Sequence, residues 1–242
     1  MLRSILKIAV GAATAKLAHM IYIELRNADH VWHAPCITPK TTRDDIIHVV
    51  RTFGRVADAH GLRWWLDYGT LLGAWRLAGQ MPFDHDCDVS LLADDLHIAR
   101  QCALDLSEHG IELNLERTSL FYKGEKIGDA DVWYRHGDLL CREADLSTRE
   151  GLLVWLRKWY DDFPAAWVEN RWEIAYEGDF YPCPSRPERL LHKRYPTCRF
   201  SLRLVFPHKQ KCWFSPDFWK AAWMIFRSRR GPMYRHAPGT VE

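Results

Sequence analysis

Two aspartates spaced two residues apart, Asp86 and Asp88, are the side chains of this sequence best suited to chemistry. On a β-strand, the two-residue period points both carboxylates to one face of the sheet. Carboxylates held so close repel each other unless a cation lies between them, and carboxylates around Mg²⁺ are a usual apparatus for phosphoryl chemistry. The pair therefore predicts a site for Mg²⁺ or Mn²⁺ that acts on a phosphorylated substrate.

A third carboxylate has to come from another strand. Asp131 lies in the segment 129–134, which has the character of a strand, and we predict that it completes the site. It would serve as a metal ligand or as the base that accepts the proton of an attacking hydroxyl. Asp129 would lie on the same face of that strand and is the alternative third ligand.

Upstream of the aspartates, Gly69 and Thr70 leave a short aromatic strand and open a helix. Their backbone N–H groups and the Thr70 hydroxyl are predicted to bind donor phosphates, because a helix N-terminus favours anions. Arg76, about one turn into that helix, is predicted to grip a phosphate as a bidentate fork. The simpler explanations are that Thr70 only caps the helix and that Arg76 lies on its surface.

The elements that would position these residues alternate between helix and strand. Apolar spacing predicts a helix that a capping box at Thr42 and Asp45 begins and His60-Gly61 ends. Short strands are predicted over 63–68, 86–92, 111–116, 120–123, 129–134 and 139–142, with helices over 71–77 and from 94 or 95 to 110. This pattern indicates an α/β (α+β) fold with a mixed sheet flanked by helices.

At 242 residues the chain suits one decorated domain, which we divide into a leader and linker (1–41), the domain proper (42–200) and an aromatic, basic extension (201–242). From Leu152 onward the pattern turns helical and rich in Trp, at positions 155, 159, 167 and 172. A capped helix is predicted after Ser215, either packed in the core or lying as a foot on a membrane surface.

Composition excludes two classes of protein and leaves the compartment open. A net charge of +2, with 48% hydrophobic and 26% charged residues, argues against disorder and against nucleic acid as a partner. Seven cysteines with no CxxC pair favour reduced thiols. Residues 1–25 are apolar and cationic, and they predict either an amphipathic helix at a membrane interface or an ordinary N-terminal helix.

Two stretches carry a resemblance to a known family. Residues 68–76 read YGTLLGAWR and residues 82–88 read PFDHDCD. Together they resemble the LicD family, phosphotransferases of the nucleotidyltransferase superfold that include fukutin-related proteins. Residues 131–133 resemble its later D-h-W strand, and residues 190–196, LLHKRYP, resemble its closing L-x-x-x-Y-G element. Phe83, His85 and Pro196 depart from the family pattern, but none of these positions is one of the three carboxylates.

The resemblance implies a reaction. A CDP-linked alcohol, such as CDP-choline or CDP-ribitol, would give its phospho-alcohol to a hydroxyl of a glycan or glycolipid and release CMP. A nucleotidyltransferase acting on a small substrate would use the same residues, and a silent glycan- or membrane-binding module is the alternative outside the enzymes. The expected compartment is the cytoplasm, with peripheral membrane contact, or the Golgi lumen if the source is eukaryotic.

Overall fold

The fold is described by a computed structural model. The structure describes residues 35–145, 161–169, 172–195, 201–203, 205, 210–228 and 232–236. The predicted interfacial helix of residues 1–25, and the residues Trp155 and Trp159, lie outside this part of the chain. Among the described residues, no helix is both long and apolar enough to cross a bilayer.

The described elements alternate as the sequence predicts in the first half of the domain. In chain order they are α1 (Lys40–Ala59), β1 (Trp64–Leu66), α2 (Tyr68–Leu77), β2 (Cys87–Leu92), α3 (Leu96–Glu108), β3 (Ile111–Asn114), β4 (Ser119–Tyr122), β5 (Glu125–His136), β6 (Leu139–Cys141) and β7 (Phe163–Pro164). A single 3₁₀ turn, Ala93–Asp95, joins β2 to α3.

Helix α1 begins before the predicted capping box. Its N-cap is Pro39, and no side chain caps it. The carboxylate of Asp45 instead pairs with Lys123 at 2.8 Å, and Lys40 pairs with Asp44 one turn along the helix at 2.8 Å. The capping-box prediction is therefore wrong, because the acid that was to close it is held by another element.

Seven strands of the described chain form a mixed sheet, and β2 and β5 lie at its centre. The order is β1-β2-β5-β4-β3, with β6 and β7 continuing from the far half of β5. β2 and β5 run parallel, and the other neighbours are antiparallel. Gly128 makes the central pairing close, since a Cβ there would lie 2.2 Å from the carbonyl oxygen of Cys87. The predicted mixed sheet flanked by helices is confirmed.

The second half of the chain departs from the helical prediction. After α4 (Ala166–Glu169) come β8 (Trp172–Tyr176), β9 (Asp179–Cys183), α5 (Pro187–Arg194), α6 (Pro216–Arg227) and β10 (Tyr234–His236). Strands β10, β8 and β9 form a small antiparallel sheet. Trp172 therefore begins a strand, and its segment turns at Glu177 and Gly178, both of which have positive φ. The prediction of a mostly helical C-terminal portion is wrong over 172–183.

Helix α6 matches its prediction and is tied to the rest of the domain. Its N-cap Ser215 accepts a hydrogen bond from the Phe218 N–H at 3.3 Å. Phe218 packs against Phe83 with ring centroids 5.0 Å apart, and a disulfide joins Cys36 to Cys212 just before the helix. The prediction of reduced thiols is wrong for this pair, which lies 176 positions apart in sequence.

Candidate active site

The central strand pair brings three carboxylates together. Asp88 on β2 lies directly opposite Asp129 on β5, and Asp86 precedes β2 by one residue. One ligand oxygen from each of these three residues lies within 4.8 Å of the other two. Oxygen donors at this spacing suit Mg²⁺ or Mn²⁺. The structure thus joins the predicted pair to Asp129, the alternative third ligand.

The first residues of α2 hold the second aspartate in place. The Gly69 N–H donates to Asp88 Oδ2 at 2.8 Å, and the Asp88 N–H donates to Thr70 Oγ1 at 2.8 Å. A Cβ at Gly69 would lie 2.5 Å from Asp84 Oδ2 and 3.1 Å from Asp88 Oδ2. Glycine is therefore required here, because the carboxylates lie against its Cα. Gly69 and Thr70, predicted as phosphate ligands, both contact Asp88 directly.

The electrostatics at this point raise the pKa of the buried aspartate of the cluster. Burial raises the pKa of Asp88 well above its usual value, and the charges of Asp86 and Asp84 raise it further. The hydrogen bond from Gly69 lowers it, as does the positive end of the α2 dipole on general grounds. These donors do not offset the mutual repulsion of the acids, so the cluster is poised to bind positive charge.

Asp131 lies two residues further into the sheet and has a different partner. It is opposite Ser90 in the register of β2 and β5, and it is only 4% exposed. Its carboxylate forms an ion pair with Arg142, whose guanidinium also donates to the Tyr68 hydroxyl at 3.4 Å. Burial raises the pKa of Asp131 to about 6, and the charge of Arg142 opposes that rise. Asp131 is thus buried and paired with Arg142, and it is not one of the three clustered carboxylates.

A second buried ion pair supports the start of α2. Asp67 is its N-cap, and Arg194 at the end of α5 pairs with the Asp67 carboxylate. Ser90 Oγ donates to Asp67 Oδ2 at 2.6 Å, and the Trp133 indole donates to Ser90 Oγ at 2.9 Å. The guanidinium of Arg194 lies 3.9 Å from the ring centroid of Tyr68. This network joins β1, β2, β5 and α5 at one point below the carboxylates.

The loop before β2 is held from the other side by Gln80. Its side-chain amide donates to the carbonyl oxygens of Asp84 and Asp86, at 3.2 Å each. The Tyr176 hydroxyl donates to Gln80 Oε1 at 2.7 Å. We call residues 83–86 the acidic loop. Through Tyr176 and Gln80, the small sheet that contains β8 holds the backbone of this loop in place.

The structure does not bring Arg76 to the carboxylates. The sequence placed it one turn into its helix, but α2 begins at Tyr68, so Arg76 lies in the last turn. At 1.5 Å per residue it is about 10 Å along the axis from Gly69. Its guanidinium is buried and donates to the carbonyl oxygen of Leu202. This position is structural, and it complements the negative end of the helix.

Sequence reasoning missed the residues that surround the acids. Arg142 lies outside the motifs, and Arg194 lies inside the stretch 190–196 that resembles the closing family element. No spacing relates either arginine to Asp131 or Asp67. Tyr68 is within the motif and has φ 37°, a strained value for a tyrosine at the start of a helix. A signal for Asp67 was present, since aspartate immediately before a helical segment is a preferred N-cap.

Comparison with known families identifies the domain. A family model described as LicD/FKTN/FKRP, nucleotidyltransferase domain, matches residues 61–186, which is just over half of the chain. The chain belongs to the LicD family. The matched range of the LicD domain contains β1 to β9, and therefore every carboxylate of the cluster, whereas Arg194 of the supporting network lies just beyond it.

Two curated relatives share 27% identity with this LicD protein over 171 residues. They are the proteins named ribitol 5-phosphate transferase FKRP of Mus musculus and of Homo sapiens. The aligned region is 68% of this chain but 33% and 32% of the relatives, so the chain spans about a third of their length.

Solved structures of ANT(2'')-Ia are more distant. A crystal structure in complex with adenylyl-2''-tobramycin covers 73% of this chain and 86% of its own, at 13% identity and a TM-score of 0.37. A solution structure of the same antibiotic-resistance factor covers 76% of this chain and 90% of its own, at 13% identity and a TM-score of 0.39.

Proposed function

We propose that this protein is an enzyme that transfers a phospho-alcohol, of the phosphocholine or ribitol phosphate type, from a CDP-linked donor to a hydroxyl of a glycan or glycolipid. CMP is the second product. The observation that carries the proposal is the meeting of Asp86, Asp88 and Asp129 within 4.8 Å in a LicD domain. The names of the two relatives, both ribitol 5-phosphate transferases, support a phosphorylated alcohol as the transferred group.

The residues present fit a divalent cation. Asp86, Asp88 and Asp129 offer hard oxygen ligands. Burial and the charge of Asp86 raise the pKa of Asp88, while Asp129 also pairs with Lys126 at 2.7 Å at the edge of the cluster. When bound, Mg²⁺ or Mn²⁺ would supply charge neutralisation for the diphosphate of the donor. Gly69 and Thr70 keep Asp88 aimed at that position, and this is the role we assign to them in place of direct phosphate binding.

The bond changes follow from the reaction class. The acceptor hydroxyl oxygen forms a bond to the phosphorus that carries the alcohol, and the bond from that phosphorus to the CMP oxygen breaks in line. A carboxylate has to accept the hydroxyl proton, and we assign this to Asp131, whose pKa of about 6 suits proton transfer near neutral pH. Arg142 would then keep the Asp131 side chain oriented.

The compartment follows from the disulfide. A bridge such as Cys36–Cys212 persists in oxidising environments and is rare in the cytosol. We therefore favour an oxidising compartment over the cytoplasm.

The test is CMP release from a panel of CDP-alcohols, measured by chromatography with the full chain, a glycan acceptor and Mg²⁺. We expect one donor to be consumed, turnover to stop with EDTA, and Asp88→Ala to lose about a hundredfold or more because a metal contributes several kcal/mol. Asp44→Ala is the matched control, since Asp44 is an exposed acid on α1. In a parallel assay with CTP in place of the CDP-alcohols, pyrophosphate release would indicate a nucleotidyltransferase. Metal-independent binding without turnover would indicate a silent module.

A further inference from the structure

An exposed apolar surface covers one side of α6 and the turn before it. We call it the aromatic patch, and it consists of Trp213, Phe214, Trp219, Trp223, Met224 and Phe226. Phe214 is 90% exposed and Trp223 is 59% exposed. Large apolar groups gathered at one place on a surface mark an interaction site.

The spacing of apolar residues along α6 produces the patch. Phe218, Ala222 and Ile225 face the small core beneath α6. Trp219, Trp223 and Phe226 recur at the same spacing one residue further along, so they form a parallel stripe on the outer side. The rings of Trp223 and Phe226 stack 5.8 Å apart, and the Trp219 indole donates to the Trp213 carbonyl at 2.9 Å.

Cations border the aromatic stripe. Lys220, Met224 and Arg227 occupy the next row of the helix, and both basic side chains are exposed. In sequence, Arg229 and Arg230 follow directly. The helix contains a single acid, Asp217, which lies in its first turn. Indole rings beside basic groups match the boundary between lipid headgroups and acyl chains.

The chain outside the described residues enters at the same place. Cys36 is bonded to Cys212, the residue immediately before the patch, so residues 1–34 join the domain beside it. That segment carries Arg3, Lys7 and Lys16 and no acid before Glu24. The disulfide thus attaches the described start of the chain next to the aromatic patch.

From this arrangement we infer that the aromatic patch docks onto the surface of an anionic phospholipid bilayer. Anionic headgroups would neutralise Lys220 and Arg227, which lie exposed beside the aromatic stripe. A second copy in a symmetric dimer, or residues 1–34 folded over the patch, would instead bring like charges together. Because Phe218 packs on Phe83 of the acidic loop, docking would set the carboxylate cluster close to the membrane. The inference stands independently of the proposed reaction.

The test is flotation of the full chain with vesicles of phosphatidylcholine containing about one third phosphatidylserine, without any donor. We expect Trp223→Ser combined with Phe226→Ser to lower the partition coefficient about tenfold or more, because exposed aromatic area drives interfacial binding. Lys220→Glu combined with Arg227→Glu should lower it as well, and added salt should weaken wild-type binding.

Matched controls separate a surface effect from misfolding. Leu104→Ser removes an apolar side chain of α3 that is 70% exposed, and Arg117→Glu reverses an exposed charge elsewhere. Both controls should bind as wild type does, and all variants should keep the wild-type far-ultraviolet circular dichroism spectrum and thermal unfolding midpoint. Wild-type vesicle binding by the patch variants would overturn the inference. A wild-type dimer in light scattering that the Trp223→Ser, Phe226→Ser variant loses would overturn it too.

Discussion

Asp129 and Asp131 show how a register decides a residue's role. Both project from the same face of β5, so sequence alone could place either of them beside Asp86 and Asp88. The parallel pairing sets Asp129 opposite Asp88 and leaves Asp131 opposite Ser90, where Arg142 pairs with it. The sequence predicts which residues of β5 share a face. It does not predict the register between β2 and β5, because that register depends on contacts between residues far apart in the chain.

This division of roles predicts two different losses of metal affinity. In calorimetric titrations with Mn²⁺, Asp129→Asn should weaken binding by about tenfold or more, because a charged ligand is removed. Asp131→Asn should weaken it less, since that side chain lies outside the group of three ligand carboxylates and is buried against Arg142, whereas Asp129 belongs to the group although it also pairs with Lys126. A larger loss in Asp131→Asn than in Asp129→Asn would instead identify Asp131 as the third ligand.

At the scale of elements, the sequence predicts the short segments that carry the acids. It does not predict the hairpin of β8 and β9 that supports them. Strand β2 and the Gly69-Thr70 turn follow from local pattern, as does the capped start of α6. The hairpin of β8 and β9 escaped prediction because its turn places Glu177 at φ 49°, a conformation for which Asn or Gly is the usual signal. Yet this hairpin supplies Tyr176, which orients Gln80 beneath the acidic loop.

Helix α5 is expected to stabilise the domain through its last residue. Arg194 and Asp67 have side chains only 2% and 0% exposed, so removal of Arg194 leaves a buried charge without its counter-ion. Arg194→Leu should therefore lower the free energy of unfolding by about 3 kcal/mol, measured in urea. Arg189→Leu, an exposed change on the same helix, should alter it by no more than about 0.5 kcal/mol.

A second substitution tests whether the loss of stability in Arg194→Leu comes from the unpaired charge of Asp67 or from lost packing of the arginine. Asp67→Asn in the Arg194→Leu background should recover part of the loss, because the amide keeps most hydrogen bonds of the cap without its charge. Equal stability of Arg194→Leu and Arg189→Leu would contradict a stabilising role for the ion pair.

At the scale of the whole molecule, no sequence pattern predicted the disulfide. Cys36 and Cys212 are far apart in the chain and belong to no recognisable spacing, whereas Cys87, Cys102 and Cys183 are buried thiols outside any disulfide. Only the folded arrangement of α6 against the acidic loop brings the pair together. Composition had correctly indicated a folded protein, but it could not distinguish a bridged pair from a reduced one.

Reduction is expected to destabilise this protein measurably. Closing a loop of 176 residues stabilises by about 2–5 kcal/mol in the chain-entropy account, so dithiothreitol should lower the unfolding midpoint. The Cys36→Ser, Cys212→Ser double variant should show the lower midpoint already and should not respond to dithiothreitol. Peptide mapping of unreduced protein should recover the linked pair. An equal response of wild type and double variant would assign the effect to another cysteine.

The Cys36–Cys212 disulfide can form only after nearly the whole chain has been synthesised. Cys36 leaves the ribosome early, and every buried thiol of the sheet follows before Cys212 emerges. Oxidation before that moment can only produce wrong pairs, which later exchange has to undo. Recombinant material is therefore expected to mature best where a disulfide isomerase accompanies secretion, and a reducing host should yield chains whose last helix is held by packing alone.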